Sequence, residues 1–171
     1  MEKKGIGLKT IASVLFILYL VLLVWIILFK LQFSLSDMDH RRSINLIPFY
    51  YSTAVGERFH IKEVRDNVLI FIPFGIFLSM LAFEMKLRSK ILILLGTSFA
   101  LEVMQYVLAI GGTDITDIIT NVSGGVVGII LYSLLLKMLK DKKRADIIIL
   151  VIAVIVTVLF FVLMAFLMLA N

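Results

Sequence analysis

Phe99 to Asn121 reads FALEVMQYVLAIGGTDITDIITN. An apolar helix carrying Glu102 and Gln105 leads through a Gly111-Gly112 turn into a second apolar helix, opened by Asp114, Asp117 and Asn121. The flanking chain is apolar enough to cross a bilayer, where ionisable side chains are costly and usually face a bundle interior or a wet hollow. The stretch therefore predicts a helical membrane bundle with a polar site at this hairpin.

Composition agrees. Of the 171 residues 61% are hydrophobic and 17% charged, and the mean hydropathy is +1.09. A soluble domain of this length is far less apolar. The chain has no cysteine, which excludes a disulfide framework and thiolate metal sites. The net charge of +5 lies in short clusters between apolar runs. Those are topology signals, so no nucleic-acid partner is expected.

Outward from the hairpin, the spacing predicts spans over about 10–29, 67–83, 91–110, 117–136 and 147–170. The fold class is an all-α integral membrane protein: five transmembrane helices with a long outer loop after the first. Lys3, Lys4 and Lys9 before the first span also fit a signal peptide. Its long apolar core and the absence of a small-residue cleavage site favour an uncleaved helix. Residues 31–66 form the longest polar stretch, and Pro48 within it interrupts helix. Phe49, Tyr50, Tyr51 and Phe59 are expected at headgroup level, with the loop along the membrane surface or folded over the bundle.

Lys3, Lys4, Lys9, Lys86, Arg88, Lys90, Lys137, Lys140, Lys142, Lys143 and Arg144 are eleven of the seventeen basic residues. All fall in short segments on one side, which places the amino terminus in the cytoplasm and the carboxyl terminus outside. Arg65, Asn67, Glu102, Gln105, Asp114, Asp117 and Asn121 then all lie towards the outer face. At about 100° per residue Glu102 and Gln105 share one side of the third span, with Ser98 and Ala109 extending the stripe. Gly124/Gly128, Gly96/Ala100 and Gly75/Ser79 each have the four-residue spacing that lets helices approach closely in lipid. A tight core of the second, third and fourth spans is expected, opening outward into a polar funnel. The first and fifth spans would pack outside it.

Each polar residue also has a plainer reading. Glu102, Gln105 and Asn121 can serve as interhelical hydrogen-bond partners. Asp114 is equally a turn or helix-cap residue, and Arg65 can pair with Asp66 as readily as with a phosphate. The functional readings are a binding or sensing site and, as the alternative, an enzyme acting on a lipid-linked envelope substrate. In the second, Glu102 is the candidate general acid-base, with Asp114 and Asp117 as weak candidates for a divalent cation. No nucleophile-base pair or HExxH motif is present, and His40 and His60 are isolated in the first outer loop, so no cofactor is expected. Five spans without an inverted repeat disfavour a monomeric carrier, though oligomers remain compatible.

Four motifs occur in order: Asn45-Leu46-Ile47-Pro48-Phe49, Asn67 to Gly75, Glu102-Val103-Met104-Gln105, and Asp114 to Asn121 followed by Gly124. Together they resemble the VanZ-like family across roughly Tyr19 to Leu139. The resemblance implies a four-helix membrane domain at 10–139, preceded by a cytoplasmic tail at 1–9. Residues 140–171, a basic cytoplasmic loop and fifth helix, lie beyond it. It also implies a bacterial cytoplasmic-membrane protein linked to teicoplanin susceptibility. The bilayer is the expected partner, with a cell-wall lipid precursor or a glycopeptide as candidate ligand.

Overall fold

The computed structural model describes residues 7–29, 42–50 and 54–170. Its helices are α1 (Leu8–Phe29), α2 (Ala54–Leu81), α3 (Leu87–Leu108), α4 (Ile115–Leu139) and α5 (Lys142–Ala170). Each is long and apolar enough to cross a bilayer. The protein is thus a multi-pass, all-α membrane bundle. The connectors α2–α3 and α4–α5 lie at one end, with the basic residues Lys86, Arg88, Lys137, Lys140 and Lys143. Two short strands, β1 (Arg42–Asn45) and β2 (Gly111–Asp114), lie at the other.

The most extensive helix contact is between α2 and α4, and glycines set its closeness. A Cβ on Gly75 would overlap the Gly125 carbonyl, one on Gly124 the backbone of Val68, and one on Gly128 the backbone of Ile72. No side chain separates the two helices there, so their backbones touch. Leu94 of α3, fully buried, closes over Gly125.

Helix α1 is joined to α2 by rings: Phe16 and Tyr19 stand 5.5–6.4 Å from Phe74 and Phe77, centre to centre. The Tyr19 hydroxyl donates to the Ile70 carbonyl at 2.8 Å. That carbonyl is one residue from Leu69, whose own carbonyl is the one that loses its helical donor to Pro73. At the basic end α5 is tied to α4 through Asp146, which accepts from Tyr132 at 2.7 Å. Beyond Leu150 its large side chains are mostly exposed, an apolar surface suited to lipid.

Several expectations are corrected. Residues 54–66 are helical, so α2 begins thirteen residues before the expected start of the second span. They hold helix formers with Lys62 and Asp66 spaced i,i+4, whereas their charge alone reads as loop. The Gly111-Gly112 segment is a strand, not a turn. Its Gly112 lies against the Ser43 side chain of β1. The reversal falls instead on Ala109, which leaves α3 at φ 54°, so Ala109 does not extend the polar stripe. A Cβ on Gly96 would meet nothing within 4 Å, and with exposed Ala100 it faces outward. Helix α1 also contributes to the core, burying Leu23 and Leu28. Tyr51 and His40 lie outside the described residues, as do the side chains of Phe59 and His60.

Gly124→Ala should lower thermal stability in detergent by about 1–3 kcal/mol, the cost of overpacking a closed contact. Gly96→Ala should be neutral or stabilising by roughly 0.5–1 kcal/mol, from helix propensity alone. Melting curves of the two variants against the parent check this contrast.

Candidate functional site

Above the glycine seam Asn67 of α2 meets Asp117 of α4. The Asn67 amide donates to Asp117 Oδ1 at 2.8 Å. One turn deeper, Asn121 donates to Ser98 Oγ of α3 at 3.0 Å. Gln105 crosses from α3 to α1 and donates to the Ile27 carbonyl at 3.0 Å, in the last turn of α1, where helix carbonyls generally need partners from outside. Glu102 is 1% exposed, and its Oε2 accepts from the Asp114 backbone N–H at 3.0 Å. Each polar group thus joins a different pair of elements.

These five residues line one cavity of about 480 Å³. Glu102, Gln105 and Asn121, all buried, form its floor. Lys62, Glu63 and Asp66 of α2 stand around the rim, while Ile26, Ile27, Leu69 and Ile70 make an apolar wall. Among the described residues, the side-chain oxygens of Gln105 and Asn121 accept no hydrogen bond although both are buried. Buried acceptors are normally satisfied. The floor therefore offers acceptors to whatever occupies the cavity, beneath the carboxylates of Glu63, Asp66 and Asp117.

The other two expected residues are placed elsewhere. Arg65 is 62% exposed and donates to its neighbour Asp66, with Nη2 at 2.8 Å. Asp114 caps α4: Oδ1 accepts from the Thr116 N–H at 2.7 Å and Oδ2 from Asn45 Nδ2 at 3.0 Å. Neither lines the cavity. Asp114 and Asp117 thus direct their carboxylates to different partners, and no group of three potential metal ligands forms among the described residues.

Asp114 belongs to a clasp that closes the strand end. Strands β1 and β2 pair in parallel, Arg42 with Gly111 through Asn45 with Asp114. Asn45 Oδ1 turns back to accept from the Ile47 N–H at 3.1 Å, the local bond that makes Asn a turn residue. Pro48 and Phe49 then form a tight turn closed by the Tyr50 N–H on the Ile47 carbonyl at 3.3 Å. Phe49 sits at φ 56°, a left-handed position uncommon for a bulky side chain. It is held there by its N–H on Thr116 Oγ1 at 3.0 Å. The rings of Phe49 and Tyr50 are more than half exposed.

The VanZ/LLP1 family profile matches residues 16–140. The chain belongs to the VanZ/LLP1 family. It is 43% identical over 145 residues to Protein VanZ of Enterococcus faecium, which covers 84% of this chain and 86% of the relative. No solved structure matches. The family region contains every residue of the cavity and the clasp, and α5 lies beyond it.

Lys62 and Glu63 line the cavity without being expected there, because a charged segment reads as loop. Their spacing to Asp66 and Asn67, i to i+4 in each case, was the available signal. Thr116 had none, since its role depends on a turn more than sixty residues away.

Asp114→Ala should cost about 1–2 kcal/mol of thermal stability, as a lost helix cap does. Arg65→Ala should stay within about 0.5 kcal/mol, as exposed ion pairs do. Unfolding of both variants in the same detergent separates clasp from surface.

Proposed function

We propose that this VanZ-like protein lies in the bacterial cytoplasmic membrane with its cavity opening outward. There it binds the donor-rich polar end of a cell-envelope lipid or lipid-linked wall precursor, and so modulates susceptibility to glycopeptides of the teicoplanin type. The observation that carries the reading is the cavity itself. Buried amide and carboxylate groups from α3 and α4 share it with the apolar wall from α1 and α2. That lining suits an amphipathic ligand: hydroxyl or amine donors meet the Gln105 and Asn121 oxygens and the carboxylates, and the apolar part lies along Ile26, Leu69 and Ile70. Ligand sites of this size commonly combine an apolar lining with a few convergent polar groups.

The orientation rests on the basic clusters at the end opposite the strands, which the positive-inside rule assigns to the cytoplasm. Glycopeptide susceptibility rests on the family relationship. Binding without turnover is preferred to catalysis because the Glu102 Oε2 atom is held by the Asp114 N–H, a contact that fixes a carboxylate in place.

Glu102→Gln tests the reading, since the amide oxygen can still accept from Asp114 and the fold should persist. Retention of envelope lipids by the purified variant should fall about tenfold, one charge-assisted hydrogen bond's worth. Teicoplanin susceptibility of the same strains should shift with it. Unchanged lipid retention and susceptibility would overturn the proposal. So would a lipid-derived product made by the parent protein and absent with Glu102→Gln, which is the outcome an enzyme predicts.

A further inference from the structure

A second polar cavity, of about 350 Å³, lies at the basic end of the bundle. It is lined by Ser79 at the end of α2, Phe83 just after it, Lys90 in the first turns of α3, and Tyr132, Ser133 and Lys137 of α4. Lys90 is only 7% exposed. Its ammonium has one bond among the described residues, to the Phe83 carbonyl at 3.5 Å, the limit of a hydrogen bond. No carboxylate lines the cavity. The nearby Asp146 is already engaged, accepting from Tyr132 on one oxygen and from Lys142 on the other.

A lysine at a helix end usually extends its ammonium to water. This residue is buried and lines a cavity that no carboxylate lines, so an anion there would meet an uncompensated cation. Beside it the Ser79 hydroxyl, 2% exposed, has no partner among the described residues. Lys137, exposed on the opposite wall, supplies a second cation.

From these groups we infer that the cavity between Ser79, Lys90 and Lys137 binds a phosphate group. The phosphate oxygens accept from the Lys90 and Lys137 ammoniums and the Ser79 hydroxyl, and Phe83 gives an apolar flank. Two sources present this chemistry at that level of the bundle: the headgroup of an anionic phospholipid, as in other basic pockets between membrane helices, and a free phosphate. The site is separate from the strand-end cavity and independent of what that cavity binds.

The parent protein, Lys90→Met and Lys137→Gln are placed in nanodiscs of phosphatidylcholine, alone or with phosphatidylglycerol. Native mass spectrometry counts retained phosphatidylglycerol, and calorimetry with inorganic phosphate in pure phosphatidylcholine discs reads the free ion. Retention of phosphatidylglycerol by the parent, lost in Lys90→Met and at least severalfold weaker in Lys137→Gln, supports a lipid phosphate. Phosphate binding with the same loss pattern, without lipid retention, supports the free ion. Lys137 is exposed, so its variant folds even where Lys90→Met does not. Equal retention and equal phosphate binding by the parent and Lys137→Gln, or none by the parent, overturns the inference.

Discussion

Backbone-to-backbone contact between α2 and α4 is the constraint on which the other features depend. Gly75, Gly124 and Gly128 leave no room for even a methyl group, so the helices cannot slide or rotate without a clash. That fixes where the seam stops. Immediately beyond Val68 and Gly124 come Asn67 and Asn121, so the first residues able to reach across are polar. Lipid supplies no hydrophobic drive between helices. Shape therefore holds the lower half, and directed hydrogen bonds hold the upper.

The bonds of the upper half form a circuit rather than a cluster. Asn67 links α2 to α4, Asn121 links α4 to α3, Gln105 links α3 to α1, and Glu102 links α3 to Asp114, the last residue of β2. Individually such bonds contribute about 0.6 kcal/mol on average in a membrane protein. Their effect here is geometric. Four helix ends are held apart around a hollow, and the clasp from Asn45 to Thr116 holds the chain after α1 against its edge. Acceptors that the circuit leaves over, on Gln105 and Asn121, face the same hollow.

Most of this was legible where chemistry is local. Apolar length marked the five spans, and Gly124/Gly128 and Gly75 marked the seam. Glu102, Gln105, Asp117 and Asn121 line one cavity, as their register on two helices leads one to expect. Gly96 shows the limit: four-residue spacing to Ala100 is identical to that of the working notch, and only the rotation of α3 turns it outward. The β1–β2 pairing joins residues nearly seventy positions apart, and nothing local to either segment announces it. Asp114 was open between cap and ligand for the same reason, since Asn45 decides how its second oxygen is used.

A wet hollow above a dry seam has a direct test in thiol accessibility. The chain has no cysteine, so single substitutions report without background. In nanodiscs, a water-soluble maleimide should modify cysteine at position 63 or 67 readily and leave cysteine at position 129, in the buried core, unmodified. Equal inertness at 67 and 129, or modification of 67 only by a lipid-soluble reagent, would mean that no water-filled hollow stands above the seam.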